Sequence, residues 1–295
     1  MQLSANGITL EVEDHGPTSG EPLLLIMGLG MQLVAWPEGF VKQLVSQGFR
    51  VIRFDNRDAG LSQSFDAAGA PNIAMAAVQH LFRMPIKSAY SLADMARDAV
   101  GVLDALNIKR AHVCGASMGG MIAQHMGIEH AARIKSLTLI MTTSGARALP
   151  QPTMKVRQAL LTRPSDPKDL ASIAQHYFKL YRLIGSPGFP APEPELRQRI
   201  DASVRRSNRP RGVARQLVAI AADTGRAAQL RRITAPTHII HGEADPLVPV
   251  AAAHDLKKRI AGATLDLIAG MGHDLPEPLW PRLAAGIKET STRAV

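Results

Sequence analysis

Short apolar runs recur through the first half of the chain, and each is followed by a stretch with helical spacing. Leu23–Met27, Val51–Phe54, Ala111–Cys114 and Leu137–Met141 have strand length and a composition that buries well on both faces. Between them, Glu38–Gln47, Leu92–Leu106 and Met118–Gly127 place apolar residues three and four apart, as amphipathic helices do. Ser91 followed by Asp94 predicts a capped start for the second of these helices. Upstream, Asn6-Gly7 within Met1–Leu10 predicts a tight hairpin, because both residues tolerate the positive φ of a type I′ turn. Strand–helix alternation of this kind predicts a mostly parallel sheet with helices on both faces.

The alternation stops after Met141. From Thr142 to about Ala227 no clean strand pattern occurs, prolines gather at 150–152 and 187–194, and helical pieces such as Val156–Leu161 and Ile173–Ile184 lie between them. It resumes with Thr237–His241, a helix near Val250–Ile260, the strand Thr264–Ile268 and a last helix from Leu279. The economical reading is one α/β core, residues 1–142 and 228–295, with a sheet of about eight strands, interrupted by a helical lid at 143–227.

Chemistry concentrates where strands end. Gly115-Ala116-Ser117-Met118-Gly119 fits G-x-S-x-G, with a strand before it and a helix after it. That context suits a sharp turn that lifts a serine out of the sheet, with glycines where side chains would strike neighbouring backbone. A serine hydroxyl is a weak nucleophile at neutral pH, so it needs a base, and the base needs an orienting carboxylate. Downstream, Asp245 follows the strand Thr237–His241 and His273 follows the strand Thr264–Ile268, both in loops. Open α/β sheets place their ligands at these carboxyl ends. Glu243 is a rival for the acid, nearer its strand; Thr142, Thr143 and Ser144, after the strand before the lid, offer no carboxylate.

With those residues in order, the sequence resembles the α/β-hydrolase superfamily over nearly its whole length, and within it the bacterial esterase branch of aclacinomycin methylesterase-type enzymes. The likeness rests on Ile26-Met27-Gly28, on the run Arg53-Phe54-Asp55-Asn56-Arg57-Asp58-Ala59-Gly60, on the Ser117 turn and on Gly270-Met271-Gly272-His273. It implies Ser117 as nucleophile, His273 as general base and acid, and Asp245 as its orienter. It further implies an oxyanion hole made by the backbone N–H groups of Met118 and Leu29. Many members carry His-Gly where this chain has Met27-Gly28; the donor is a backbone group, so the hole can survive, without the hydrogen bonds that a histidine there would supply.

Charge changes the picture little. The net +9 is concentrated in residues 147–232, which hold 17 Lys and Arg against 6 Asp and Glu. The arginines are scattered and interleave with no aromatic platform, so they read as solvated helix faces and not as a nucleic-acid site. Asp55, Arg57 and Asp58 read as structural ion pairs. His112 and His238 lie in strands, and His125 and His130 are five apart on a helix, the wrong spacing for two ligands on one face. With neither HExxH nor CxxC in the chain, no metal site is expected, and Leu33 stands where a dinucleotide loop needs its third glycine. Cys114, the only cysteine, reads as a small buried hydrophobe.

No apolar run nears the ~20 residues of a membrane span, and no signal-peptide pattern opens the chain, so the expected location is cytoplasmic. The expected activity is hydrolysis of small to medium, largely apolar carboxylic esters through an acyl-enzyme, without a cofactor. A lactonase, C–C hydrolase or perhydrolase could use the same three residues, and a ligand receptor could keep the fold. Trp36 either lines the cleft or packs under the lid. The expected partner is a small-molecule ester, and a homodimer is compatible with the sequence.

Overall fold

The structure, a computed structural model, describes residues 1–294; Val295, at the end of the expected core, lies outside them. Eight strands form one sheet: β1 (Gln2–Ala5), β2 (Ile8–His15), β3 (Glu21–Ile26), β4 (Phe49–Phe54), β5 (Ala111–Ala116), β6 (Ile134–Ile140), β7 (Thr237–Gly242) and β8 (Thr264–Ile268). Their order is β1-β2-β4-β3-β5-β6-β7-β8. The β1–β2 and β2–β4 pairs are antiparallel; every other pair is parallel. Asn6 and Gly7 both have positive φ (51° and 76°) between the paired residues Ala5 and Ile8, the two-residue turn their identities predict.

The helices α1 (Glu38–Ser46), α2 (Ile73–Leu81), α3 (Leu92–Ala105) and α4 (Met118–Glu129) accompany the first six strands. Between β6 and β7 come α5 (Met154–Leu161), α6 (Leu170–Ile184), α7 (Glu193–Arg206), α8 (Pro210–Ala222) and the short α9 (Arg226–Gln229). Helices α10 (Ala251–Arg259) and α11 (Trp280–Thr292) complete the chain. Ser91 and Asp94 form the reciprocal capping box at the start of α3. Helices α2, α7 and α8 extend the sequence reading, which names no helix at those positions.

The pleat of β3 divides the core. Leu24 and Ile26 join one buried cluster with residues of α3 and α4, while Leu23 and Leu25 join another with Phe40 and Leu44 of α1 and Leu283 and Ile287 of α11. Both faces of the strand are therefore dry, which is why its sequence is a continuous apolar run rather than an alternating one. Helix α4 is buried along nearly its whole length and sits directly behind the Ser117 turn. Burying all sides of that helix requires the near absence of charge in its sequence.

Three arginines of the insertion depart from the solvated faces expected of them. Arg215 and Arg226 are fully buried, and Arg206 is largely so. Arg215 makes a two-pronged pair with Asp58 (both contacts 2.7 Å), and Arg206 reaches Asp55 at 2.8 Å. Arg226 pairs with Asp223 and donates to Gln124 Oε1 at 2.8 Å. A buried charge without a partner is so costly that these pairs are the form in which arginine can occupy such positions.

Candidate active site

The turn between β5 and α4 holds Ser117 at φ 55°, ψ −120°, a left-handed conformation that L-residues with a Cβ rarely adopt. The surroundings enforce it. Ser117 N–H donates to Ile140 O (3.0 Å), and Ser117 O accepts from Gly120 N (2.9 Å) and Thr142 Oγ1 (2.7 Å). A side chain on Gly119 would put its Cβ 2.0 Å from Ile26 O, so only glycine lets α4 approach β3 this closely.

Asp245 and His273 converge on the serine. His273 Nδ1 lies 2.7 Å from Asp245 Oδ2, and His273 Nε2 lies 3.0 Å from Ser117 Oγ. With the Nδ1 proton directed to the carboxylate, Nε2 presents its lone pair to the Ser117 hydroxyl. The other oxygen of Asp245 accepts from Leu247 N (2.9 Å) and Val248 N (2.8 Å), which fixes the carboxylate plane. His241 stands beside it: its Nε2–H donates to Val248 O (2.8 Å), and burial pushes its imidazole below the usual range, so it stays neutral there. Glu243 points outward and is exposed; its backbone N–H holds Ile268 O.

The loop carrying His273 is braced from the insertion. His273 N–H donates to Ile184 O (2.7 Å) at the end of α6, and Gly272 N–H donates to Ser186 Oγ (2.8 Å). Ser186 also bonds Asp274, whose carboxyl is raised by burial. Ala244 N–H donates to Met271 O (3.0 Å), tying the acid loop to the histidine loop.

Opposite lies the turn after β3. A Cβ on Gly28 would stand 3.6 Å from Ser117 Oγ, so the absence of a side chain lets the Gly28-Leu29 peptide close on the serine. Among the described residues no acceptor takes the N–H of Leu29 or of Met118. Both amides are thus free to donate, one following Gly28 and one following Ser117. Neighbouring groups support the turn in place of a histidine side chain. Asn56 Nδ2 donates to Met27 O (2.9 Å), Leu33 N–H donates to Asp55 Oδ1 (2.6 Å), and Gly30 N–H donates to Gln216 Oε1 (2.7 Å). The Met27 side chain instead fills the core beside α1.

Gln32 extends this support into α7. Its Nε2 donates to Ser203 O (2.7 Å) and Ser207 O (2.9 Å), and its Oε1 accepts from Arg206 Nη1 (2.6 Å). Gln216, Gln32 and Arg206 are site-supporting residues that sequence reading missed. A glutamine or arginine carries no local sign that it pairs with a segment nearly two hundred residues away.

Trp36 offers nothing to a cleft. It is fully buried and stacks on Phe40 with ring centroids 6.1 Å apart, so of its two readings packing holds. The Asp55, Arg57 and Asp58 cluster is ion-paired as expected, with Arg57 held in a fork by Asp98 (both contacts 2.6 Å). His112 and His238 bond Ser136 Oγ (2.8 Å) and Thr264 Oγ1 (2.7 Å), and His125 bonds Glu129 and Asp223. Cys114 is buried, and burial raises its thiol far above the usual range. Among the described residues no group of three His, Cys, Asp or Glu side chains is placed to hold a metal ion, and no helix is long and apolar enough to cross a membrane.

Residues 21–277 match the alpha/beta hydrolase fold family. Rhodomycin D methylesterase DnrP from Streptomyces peucetius is 28% identical, over 97% of this chain and 95% of its own length. The 3-oxoadipate enol-lactonase 1 of Acinetobacter baylyi is also 28% identical, over 88% of this chain and 85% of its own. Among solved structures, the esterase RhEst1 from Rhodococcus sp. ECU1013 superposes with a TM-score of 0.76 at 18% identity, covering 100% of this chain and 98% of its own. At that identity the likeness is one of fold.

Proposed function

The chain belongs to the alpha/beta hydrolase fold family, and from that premise we propose that it is a serine hydrolase cleaving carboxylic esters of small to medium, largely apolar substrates. The observation that carries this reading is the unbroken hydrogen-bond line Asp245–His273–Ser117 at a strained turn, with the Leu29 and Met118 amides beside the serine oxygen. Ser117 Oγ attacks the acyl carbon as His273 Nε2 takes its proton. Asp245 holds the imidazole in the required tautomer and stabilises the imidazolium. The two amides receive the oxyanion, where losing one donor typically costs about 3–4 kcal/mol of transition-state stabilisation. His273 returns the proton to the leaving alcohol, and a water then repeats the sequence on the acyl-enzyme.

No step of this cycle calls on a cofactor. The helices of residues 143–227 serve as a cap over Ser117, anchored to both the loop after β3 and the loop after β8. The enzyme works in the cytoplasm. The methylesterase likeness over nearly the full length favours an open-chain ester. The enol-lactonase likeness supports a second reading, a cyclic ester on the same residues.

The test is turnover of a short chromogenic ester series and a lactone panel by the wild type beside Ser117→Ala. The expected result is a loss of at least about three orders of magnitude in kcat/KM for the variant, and phosphonate labelling confined to Ser117. A wild type that turns over neither esters nor lactones and escapes the phosphonate would remove the catalytic reading. A ligand-binding role on the hydrolase fold would then replace it.

A further inference from the structure

Fourteen large apolar side chains are exposed among the described residues, and nine of them fall in two short segments. Six occupy α2 and the residues just after it: Ile73, Met75, Val78, Leu81, Phe82 and Met84, with Leu81 and Phe82 each about 70% exposed. Three more, Met154, Leu160 and Leu161, lie on α5. Soluble proteins rarely leave apolar side chains so concentrated in water unless something covers them.

The charges nearby say what that is. Residues 67–93 contain no Asp or Glu and carry Arg83 and Lys87; residues 146–165 likewise contain none and carry Arg147, Lys155, Arg157 and Arg163. All six cations are exposed. The two segments meet at Arg147, whose Nη1 donates to His80 O in α2 (3.0 Å). The first adjoins the helix that carries Gln216, and the second adjoins the loop of Asp245. Helix α2 packs on α8, with His80 Nδ1 bonded to Ala221 O (3.1 Å), and Thr153 at the start of α5 donates its N–H to Pro246 O (3.0 Å), next to Asp245.

We propose that α2 and α5 form a docking surface through which this protein seats on an anionic lipid surface, with the mouth of the Ser117 site turned toward it. Exposed Leu, Phe and Met enter the headgroup boundary while lysine and arginine meet the lipid charge, the combination that holds interfacial segments on membranes. A second copy of the chain fits less well. In a two-fold contact the same patch faces itself, setting cation-bearing segments against each other with no acid in either.

The orientation of the mouth rests on the proposed role of Ser117; the docking does not. The full-length protein, as wild type and as Ser117→Ala, is sedimented with vesicles of phosphatidylcholine alone and with vesicles containing phosphatidylglycerol. Both proteins are expected to bind the anionic vesicles at least about tenfold more tightly, and to lose most of that preference at roughly 0.5 M salt. Leu81→Glu combined with Phe82→Glu lowers anionic-vesicle binding by about tenfold or more and leaves turnover of a short soluble ester and the melting temperature unchanged. Both positions are exposed, so the fold does not depend on them. Equal binding to both vesicle types, or to neither, overturns the proposal. So does a wild type that elutes as a dimer while the double variant elutes as a monomer, which would make the patch a self-interface. Vesicle binding without ester turnover would leave the docking standing and remove the esterase reading.

Discussion

At the scale of single residues, the structure places strain and charge where neighbours over-determine them. Ser117 sits in a backbone region that costs on the order of 1–3 kcal/mol, held by the bonds of its own N–H and C=O to the end of β6 and to the first turn of α4. His112 is a different case. Burial first, and Lys135 second, push its imidazole down to about 4, against the ordinary 6.5. As pH falls below 6.5 the unfolded chain takes up a proton that the folded one refuses until about pH 4. The stability this neutral histidine contributes is therefore present above 6.5 and lost progressively down to 4. Thermal melts of the wild type and of His112→Gln between pH 7 and pH 4.5 check this, and the variant is expected to show the shallower fall. Parallel curves would mean that His112 does not carry the effect.

At the scale of elements, α8 sets the turn after β3. Gln216, fully buried, accepts from Gly30 N–H and donates to Arg57 O (both 2.7 Å), holding the peptide next to Leu29 against the loop after β4. Because it touches the turn and not the serine, its loss is expected, if Leu29 serves as the proposed oxyanion donor, to weaken the transition state and to leave ground-state binding nearly intact. Gln216→Met should lower kcat about tenfold, roughly 1.4 kcal/mol, with KM changed little. Gln216→Glu keeps the acceptor for Gly30 and should retain more of the rate. A drop confined to KM, or to thermal stability, would assign Gln216 to packing instead. The parallel strands were legible in the chain as short apolar runs, which burial on both faces demands, and α1, α3 and α4 because an apolar period of about 3.6 is a local signal. Helices α7 and α8 were not named, although Leu196, Ile200 and Val204 form a stripe four residues apart on α7, and the partners that bury Arg206, Arg215 and Gln216 lie far away in sequence.

At the scale of the whole molecule, buried ion pairs join the insertion to the core. Asp58 from the loop after β4 and Arg215 from α8 are both essentially inaccessible. Burial raises the Asp58 carboxyl, yet Arg215, the Phe65 N–H and the Tyr90 hydroxyl together outweigh it and hold it below the usual carboxylate range. Removing one partner strands a charge in the interior, so Arg215→Met is expected to cost about 3–5 kcal/mol in urea unfolding. Asp58→Asn added to it should cost less than the sum of the two single changes, with a coupling of about 1–3 kcal/mol. Additive losses would show the pair to be energetically idle. The same pairs account for part of the basic surplus of residues 147–232, whose remaining cations are free to shape the outer surface.

The sequence by itself determined the α/β core, the hairpin turn at Asn6-Gly7, the capping box at Ser91, and the order of Ser117, Asp245 and His273, each at the end of a strand. These follow from local rules: side-chain period, turn stereochemistry, and the need of a strained turn for glycine around its serine. Only the tertiary structure decided that Trp36 is core, that Glu243 faces away from His273, and that Arg206, Arg215 and Arg226 are buried. It also decided that the turn carrying Leu29 is held through Met27, Gly30 and Leu33 by Asn56, Gln216 and Asp55. Burial and hydrogen-bond partnership are properties of pairs of residues, and a pair separated by up to 186 positions, as Gly30 and Gln216 are, leaves no mark in either segment alone.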